Sequence, residues 1–313
     1  MQKQFEEAIR LYFPNEGEAW LRKIPDLLSY CEEKWELKME KAYELSVNYV
    51  APARMRDGRR VVVKVSIPGK EFENELEALQ LLQSPKLVKV LDFDREAGVL
   101  ILEELVPGTM LVDLEDDEHA CFIAAGVLKG MLKKSPSHTG LPSTEDRENS
   151  MRQIMQEHPE GLGPFPIATL EKACQVFHYL NKTIETYWLL HGDYHHYNIL
   201  LSGEDNWMVI DPKGLVGEIE YDLIQYLLNK LPEQDYYSII QNRIDIFIDK
   251  LDLSRERLLM WGFCHTVLST CWTVNDEKGT YEESFFKAVR VFEEMYRDEF
   301  GRDLWNPSNE CES

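Results

Sequence analysis

The sequence predicts an α+β fold of two lobes: a small lobe built on an antiparallel sheet with one helix, and a larger, mainly helical one. Three observations point there. Between residues 36 and 105, four strand-like runs surround a single helical pattern. From about residue 113 onward the periodicity is mostly that of helices. The chain is 313 residues long and 44% hydrophobic, enough for two sizeable cores. The expected division is an N-terminal lobe over 1–105, with extra N-terminal helices, and a C-terminal lobe over 106–313.

In chain order, residues 3 to 34 read as helix. Phe5, Ile9, Trp20, Leu21, Ile24 and Leu28 recur at near-helical spacing, with Pro14 and Asn15 punctuating. Residues 36–50 turn towards alternation and end in LSVNYVAPARM; the Asp57-Gly58 turn then leads to RRVVVKVSI, a β-branched strand. In KEFENELEALQLLQS, Phe72, Leu76, Leu79 and Leu82 share one helical face. Two further strands follow, LVKVLDFD and GVLILEEL, and Leu102–Gly108 reads as the linker between lobes. This strand, strand, helix, strand, strand order is the layout of a protein-kinase-like small lobe. Beyond it come helices over 118–133 and 145–157, a long one from Ile167 to Ile184, and four more over 220–230, 234–250, 253–274 and 281–299.

The formal charge of -22 sets a field that repels nucleic acid and anionic membranes and favours a cationic partner. Six cysteines are scattered without metal-finger spacing, which suits free thiols in a reducing compartment. MQKQFEEAIR lacks the basic flank and apolar run of a signal peptide, and no stretch approaches the roughly 20 apolar residues that span a bilayer. A cytoplasmic monomer or homodimer, acting on a small molecule and on neither nucleic acid nor membrane, is expected.

The chemistry concentrates in LHGDYHHYNILLSGEDNWMVIDPK. Asp193 precedes Asn198 by five positions, and Asp211 follows after a hairpin pattern. This is how kinase-like phosphotransferases assemble a base and a metal site. Asp193 can accept a hydrogen bond from an attacking hydroxyl, while Asn198 and Asp211 offer the hard oxygens that magnesium prefers. The hairpin should bring Asn198 and Asp211 to its same end. Upstream, Lys64 sits inside a strand. Glu75, beside the apolar face of the next helix, is the better inward-facing partner than Glu77; a strand lysine so held addresses nucleotide phosphates.

Other positions take supporting roles. No glycine-rich loop precedes Lys64, so the phosphate-facing loop would be Leu45-Ser46-Val47-Asn48, with Ser46 or Asn48 in place of glycine. The backbone of Glu103 and Leu105, in the linker, would read the adenine edge. His191 is expected to hold the loop through a backbone hydrogen bond, and Asp222 to cap a helix or anchor that loop. His195 and His196 lack a third zinc ligand and are read as surface or substrate-facing. Glu218, Glu220, Asp276 and Glu277 are acidic candidates for a cationic substrate.

At these residues the chain resembles the aminoglycoside phosphotransferase family, and within it the streptomycin 6-kinase and hydroxyurea-resistance kinase group. The resemblance is carried by HGDYHHYNILL and VIDPKGLVGEIEYDL, with Pro212-Lys213-Gly214 where protein kinases carry Phe-Gly. VVVKVSIP, ENELEALQLL and LILEEL extend it over roughly residues 35–230. It implies a two-lobed kinase-like fold and ATP- and Mg2+-dependent transfer to a small-molecule hydroxyl. It further implies Asp193 as the catalytic aspartate, Asn198 and Asp211 as magnesium ligands, and Lys64 paired with Glu75. The family usually has Leu at 194 and Gly at 197, where this chain has two tyrosines; Tyr197 would narrow the acceptor pocket. A streptomycin-like acceptor and a resistance role lead. A metabolic kinase of another hydroxyl compound, or a kinase-shaped nucleotide binder without turnover, are the alternatives.

Overall fold

The structure, a computed structural model, describes residues 2–232, 235–275 and 278–305. Helices α1 (Lys3–Tyr12) and α2 (Gly17–Lys34) come first, interrupted around Pro14, whose missing N–H ends a helical ladder. Strands β1 (Leu37–Met39), β2 (Tyr49–Met55) and β3 (Arg60–Val65) lead into α3 (Lys70–Leu82), β4 (Val90–Asp94) and β5 (Val99–Glu103). A further strand, β6 (Pro107–Met110), begins inside the predicted linker. Then follow α4 (Asp117–Lys129), β7 (Lys133–Lys134), α5 (Thr144–Glu157), the short pair β8 (Gly161–Leu162) and β9 (Phe165–Pro166), α6 (Ile167–Lys182) and β10 (Trp188–Leu190). Strands β11 (Ile199–Ser202), β12 (Asn206–Val209) and β13 (Leu215–Gly217) precede the last helices. These are α7 (Ile219–Asp222), α8 (Ile224–Leu228), α9 (Tyr236–Leu251), α10 (Arg255–Thr273) and α11 (Glu283–Phe300). The class is the predicted two-lobed α+β one. The helix predicted over 220–230 is two short ones.

The chain divides into two compact units, Met1–Met110 with Ile199–Lys213, and Leu111–Asn198 with Gly214–Ser313. In the first, an antiparallel sheet runs in the order β1-β2-β3-β5-β4. Side chains alternate across a strand, and here both sets are used. Val61, Val63 and Val65 of β3, with Val99 and Ile101 of β5, join Phe5, Ile9, Trp20 and Ile24 of α1 and α2 in one core. Each such burial contributes about 1.5–3 kcal/mol. The alternate register sends Lys64 to the opposite face, where α3 supplies Glu75. Burial on both faces is why the strand reads as an almost unbroken valine run. A second sheet, ordered β12-β11-β6, pairs Ile199 with Val209 and Leu200 with Met110. It is tied to the segment after α3 by Val88 N–H to Val209 O (2.9 Å) and Val209 N–H to Lys86 O (2.7 Å). This pairing places residues 199–213 in the first unit.

In the second unit β10 lies between β13 and β7, and the helices pack around α10. Leu258 to Cys271 are buried continuously, so α10 has no solvent-facing stripe over that span. Serine caps open two helices: Ser143 and Asp146 form a reciprocal capping box on α5, and Ser254 accepts from Arg257 N–H on α10. Among the described residues no helix is long and apolar enough to cross a membrane. Cys31, Cys121, Cys174, Cys264 and Cys271 are buried free thiols, and Cys311 lies outside the described residues.

His196 departs from its expected surface position. It is fully buried and stacked on Tyr226 with ring centroids 4.0 Å apart, and neither ring nitrogen has a hydrogen-bond partner. Burial first, and then Arg243, push its pKa down to about 3, so the folded protein holds it neutral. The unfolded chain protonates it near the ordinary value of about 6.5. Stability from this site is therefore complete above that value and lost as pH falls below it. Asp222 and Glu75, pushed up by burial, bias the curve the other way, so the test compares variants. Relative to the native chain, His196→Phe should gain about 2 kcal/mol more at about pH 5 than at about pH 7.5, measured by urea unfolding. An equal difference at both pH values would contradict a neutral buried His196.

Candidate active site

In the first unit, strand and helix periods converge on Lys64, which is 4% exposed. Its ammonium donates to Glu75 Oε1 at 2.6 Å and also pairs with Asp211. Burial works against the charged amine, but Asp211 and Glu75 outweigh it and raise its pKa. Asp211 sits just past β12 with φ of 62°, a left-handed backbone that aspartate tolerates better than most residues. Strain of this kind is costly and concentrates at functional positions. The last rung of the hairpin, Ile199 opposite Val209, leaves Asn198 one residue before it and Asp211 two after it.

In the second unit, the loop between β10 and β11 is strapped at almost every residue. The buried Asp222 carboxylate accepts His191 N–H at 2.8 Å and Gly192 N–H at 2.7 Å. Burial pushes Asp222 up to about 7, against the pull of those two donors. Of the two roles open to Asp222, the geometry is that of a loop anchor; it stands at the end of α7, not at its start. Gly192 has φ of 80°, which most side chains resist. His191 Nδ1 accepts Asp193 N–H at 3.2 Å, and His191 O accepts Gly214 N–H at 3.0 Å. Asn198 Nδ2 donates to Asp193 O at 3.0 Å, which turns its amide oxygen the other way. His195 Nε2 lies 3.5 Å from Asp193 Oδ1 and 3.3 Å from Asn198 Nδ2. Backbone and neighbours thus fix Asp193 while its carboxylate stays about a quarter exposed.

The remaining predicted positions fall variously. Ser46 is exposed at the tip between β1 and β2; Val50 pairs with Lys64 across β2 and β3, so the tip lies at the Lys64 end of the sheet. Glu103 closes β5, its carboxylate accepting Lys89 N–H at 2.8 Å, and Leu105 is buried just beyond. Tyr197 is 50% exposed with its ring edge-on to His195. Glu218 does not face out as a substrate ligand would. It is 9% exposed, and its Oε2 accepts Arg257 Nε at 2.7 Å and Trp261 Nε1 at 2.8 Å. Glu220 is likewise buried, accepting Ser254 N–H, and Asp276 and Glu277 lie outside the described residues.

Tyr194 is a core residue, fully buried, its hydroxyl donating to Ala124 O at 2.6 Å. Tyr194→Phe should cost about 1 kcal/mol of stability with turnover retained, read from urea midpoints and initial rates. Lost turnover at unchanged stability would instead put that hydroxyl in the chemistry. Asp211, in the first unit, has a carboxylate oxygen and Asn198, in the second, an amide oxygen, each a hard donor of the kind magnesium takes. Among the described residues no group of three or more His, Cys, Asp or Glu forms a metal cage.

The sequence pattern of a family described as aminoglycoside/hydroxyurea antibiotic resistance kinase matches residues 39–277. Streptomycin 6-kinase from Streptomyces griseus is 27% identical over 271 residues, covering 83% of this chain and 86% of its own. Hydroxyurea phosphotransferase from Kitasatospora aureofaciens is 26% identical over 265 residues, covering 83% of this chain and 76% of its own. Among solved structures, choline kinase LicA from Streptococcus pneumoniae is similar with a TM-score of 0.60 at 17% identity, over 85% of this chain and 99% of that one. At that identity the likeness speaks for the fold alone, which is protein-kinase-like.

Proposed function

The chain belongs to the aminoglycoside/hydroxyurea antibiotic resistance kinase family, and on that premise we propose that it moves the γ-phosphate of ATP, with Mg2+, to a hydroxyl of an aminoglycoside-type small molecule such as streptomycin. The observation that carries this reading is the buried Lys64 bound to Glu75. An ammonium in that position costs desolvation, which its two carboxylate partners offset, and it supplies the fixed positive charge that nucleotide phosphates require. Glu75 orients Lys64 towards the nucleotide phosphates. The tip at Ser46 covers them, and the backbone at Glu103 and Leu105 reads the adenine edge. Asn198 and Asp211 are the residues that would hold a magnesium ion, which when bound would supply positive charge to the phosphates.

Asp193 accepts the hydrogen bond of the acceptor hydroxyl and aims its oxygen at the γ-phosphorus. The new O–P bond forms as the bond to the β-phosphate oxygen breaks, ADP leaves, and the hydroxyl proton passes to the Asp193 carboxylate. His191 and Asp222 keep that carboxylate in place through the loop backbone. His195 and Tyr197, beside Asp193, contact the acceptor. With Glu218 committed to Arg257 and Trp261, the preference for a cationic acceptor rests on the net charge of -22.

A second acceptor is supported by the hydroxyurea phosphotransferase relative, whose identity to this chain is nearly that of the streptomycin kinase. The bulk of Tyr197 beside Asp193 also favours something smaller than an aminoglycoside. Incubation with Mg-ATP and a panel of streptomycin, other aminoglycosides, hydroxyurea and sugar alcohols, followed by ADP release, decides between them. Streptomycin is expected to give the highest kcat/KM; turnover of hydroxyurea or a sugar alcohol alone would replace it as acceptor.

A further inference from the structure

Residues 1–38 precede the segment that matches the family pattern, yet α1 and α2 bear directly on the loop assigned above to the phosphates. The contact is made by Gln2, at the N-terminal end of α1. Its Nε2 donates to Tyr43 O at 2.6 Å, and its Oε1 accepts Leu45 N–H at 3.0 Å. One carboxamide thus supplies a donor and an acceptor to alternate residues of the loop, as the peptide group of a neighbouring strand would. The next residue is Ser46, at the tip. Leu45 itself is buried in the core shared by α1, α2 and the sheet. The far edge of the sheet is tied to α2, by Tyr30 to Asp94 (2.6 Å) and by Trp35 Nε1, just past the helix end, to Asp92 (2.8 Å).

Residues 40–48, EKAYELSVN, contain no glycine. A loop that closes on phosphates usually relies on glycine to bring backbone N–H groups near them. Here Tyr43 N–H bonds Val50 O at 3.1 Å and Glu40 N–H bonds Pro52 O at 2.9 Å, so the loop's base is fixed by β2. Its approach to the tip is fixed by Gln2. A loop without conformational freedom must be set beforehand, and an external brace is a way to do that.

We propose that Gln2 is a positioning residue for ATP: it holds Tyr43 and Leu45 so that Ser46–Asn48 present their backbone to the phosphates. This rests on the phosphotransfer reading. Gln2→Met keeps the length and removes both hydrogen bonds. It should raise KM for ATP roughly three- to tenfold, the weight of one or two lost hydrogen bonds, while kcat and the acceptor KM stay within about twofold. Hydrogen exchange of residues 43–48 should quicken in the variant, whereas in the native chain the Leu45 amide is protected. An ATP KM unchanged in Gln2→Met, an equal rise in both KM values, or a Leu45 amide that exchanges freely in the native protein would each overturn the proposal. Native protein that turns over no acceptor strikes the phosphotransfer reading instead; exchange at Leu45 still decides whether the brace exists.

Discussion

Asp193→Asn is expected to lower kcat by about a hundred- to ten-thousandfold while ATP affinity and the urea midpoint hardly change. The reason is local. The backbone of residue 193 is held by the His191 ring through its N–H and by Asn198 through its carbonyl. Neither bond uses the side-chain carboxylate. An asparagine of the same shape keeps both of those backbone bonds and replaces the carboxylate proposed to take the proton, which also lies 3.5 Å from His195 Nε2. Asp222 anchors the two residues before it independently of that change. Steady-state rates with ATP titration, beside a denaturation curve, separate the effects. A variant that kept near-native kcat would remove Asp193 from its assigned role.

Lys64→Met should be costly twice over. Glu75 and Asp211 would both lose their cation, and Glu75 is too buried to be solvated in its place. Leaving a buried charge without its partner costs about 3–5 kcal/mol. Turnover should fall by about a hundred- to a thousandfold, because fixed positive charge on the phosphates is lost. The double variant Lys64→Met with Glu75→Leu separates the two losses. Replacing the pair by apolar side chains removes the stranded carboxylate, so most of the stability should return while activity stays low. Recovery of activity with stability would mean that Lys64 only holds the fold.

The pair itself could be read in advance because each partner obeys a local period. Lys64 alternates with the core valines at a spacing of two, and Glu75 lies beside Leu76 and Leu79 at a helical spacing. The same logic preferred Glu75 to Glu77. The hairpin over 199–209 was legible as well, from two apolar runs around a polar turn. What sequence could not supply were contacts without a period. β6 pairs with β11 some ninety residues away, which draws the hairpin into the first unit. Asp222 reaches back thirty residues to two backbone amides, and Gln2 forward more than forty. Such contacts follow from tertiary packing, and no window of the chain encodes them.

The errors have a physical cause too. His196 and Glu218 are polar residues that the sequence assigns to the surface or the substrate. His196 is flat enough to stack on Tyr226, and Glu218 is satisfied by Arg257 and Trp261 on α10. Glu218 is tolerated inside because its hydrogen-bond partners come with it, some forty residues along the chain, whereas His196 has only the ring stack and is held neutral by burial.

The most direct test of Asp193-assisted transfer uses ATP labelled in its γ-phosphate, Mg2+ and streptomycin, and follows where the label goes with the native chain and with Asp193→Asn. The native chain should place the label on the acceptor, one phosphoryl group for each ADP formed, and the variant should leave it in ATP. Label released by the native chain only as inorganic phosphate, or an acceptor labelled equally by both proteins, would contradict direct transfer to a hydroxyl held by Asp193.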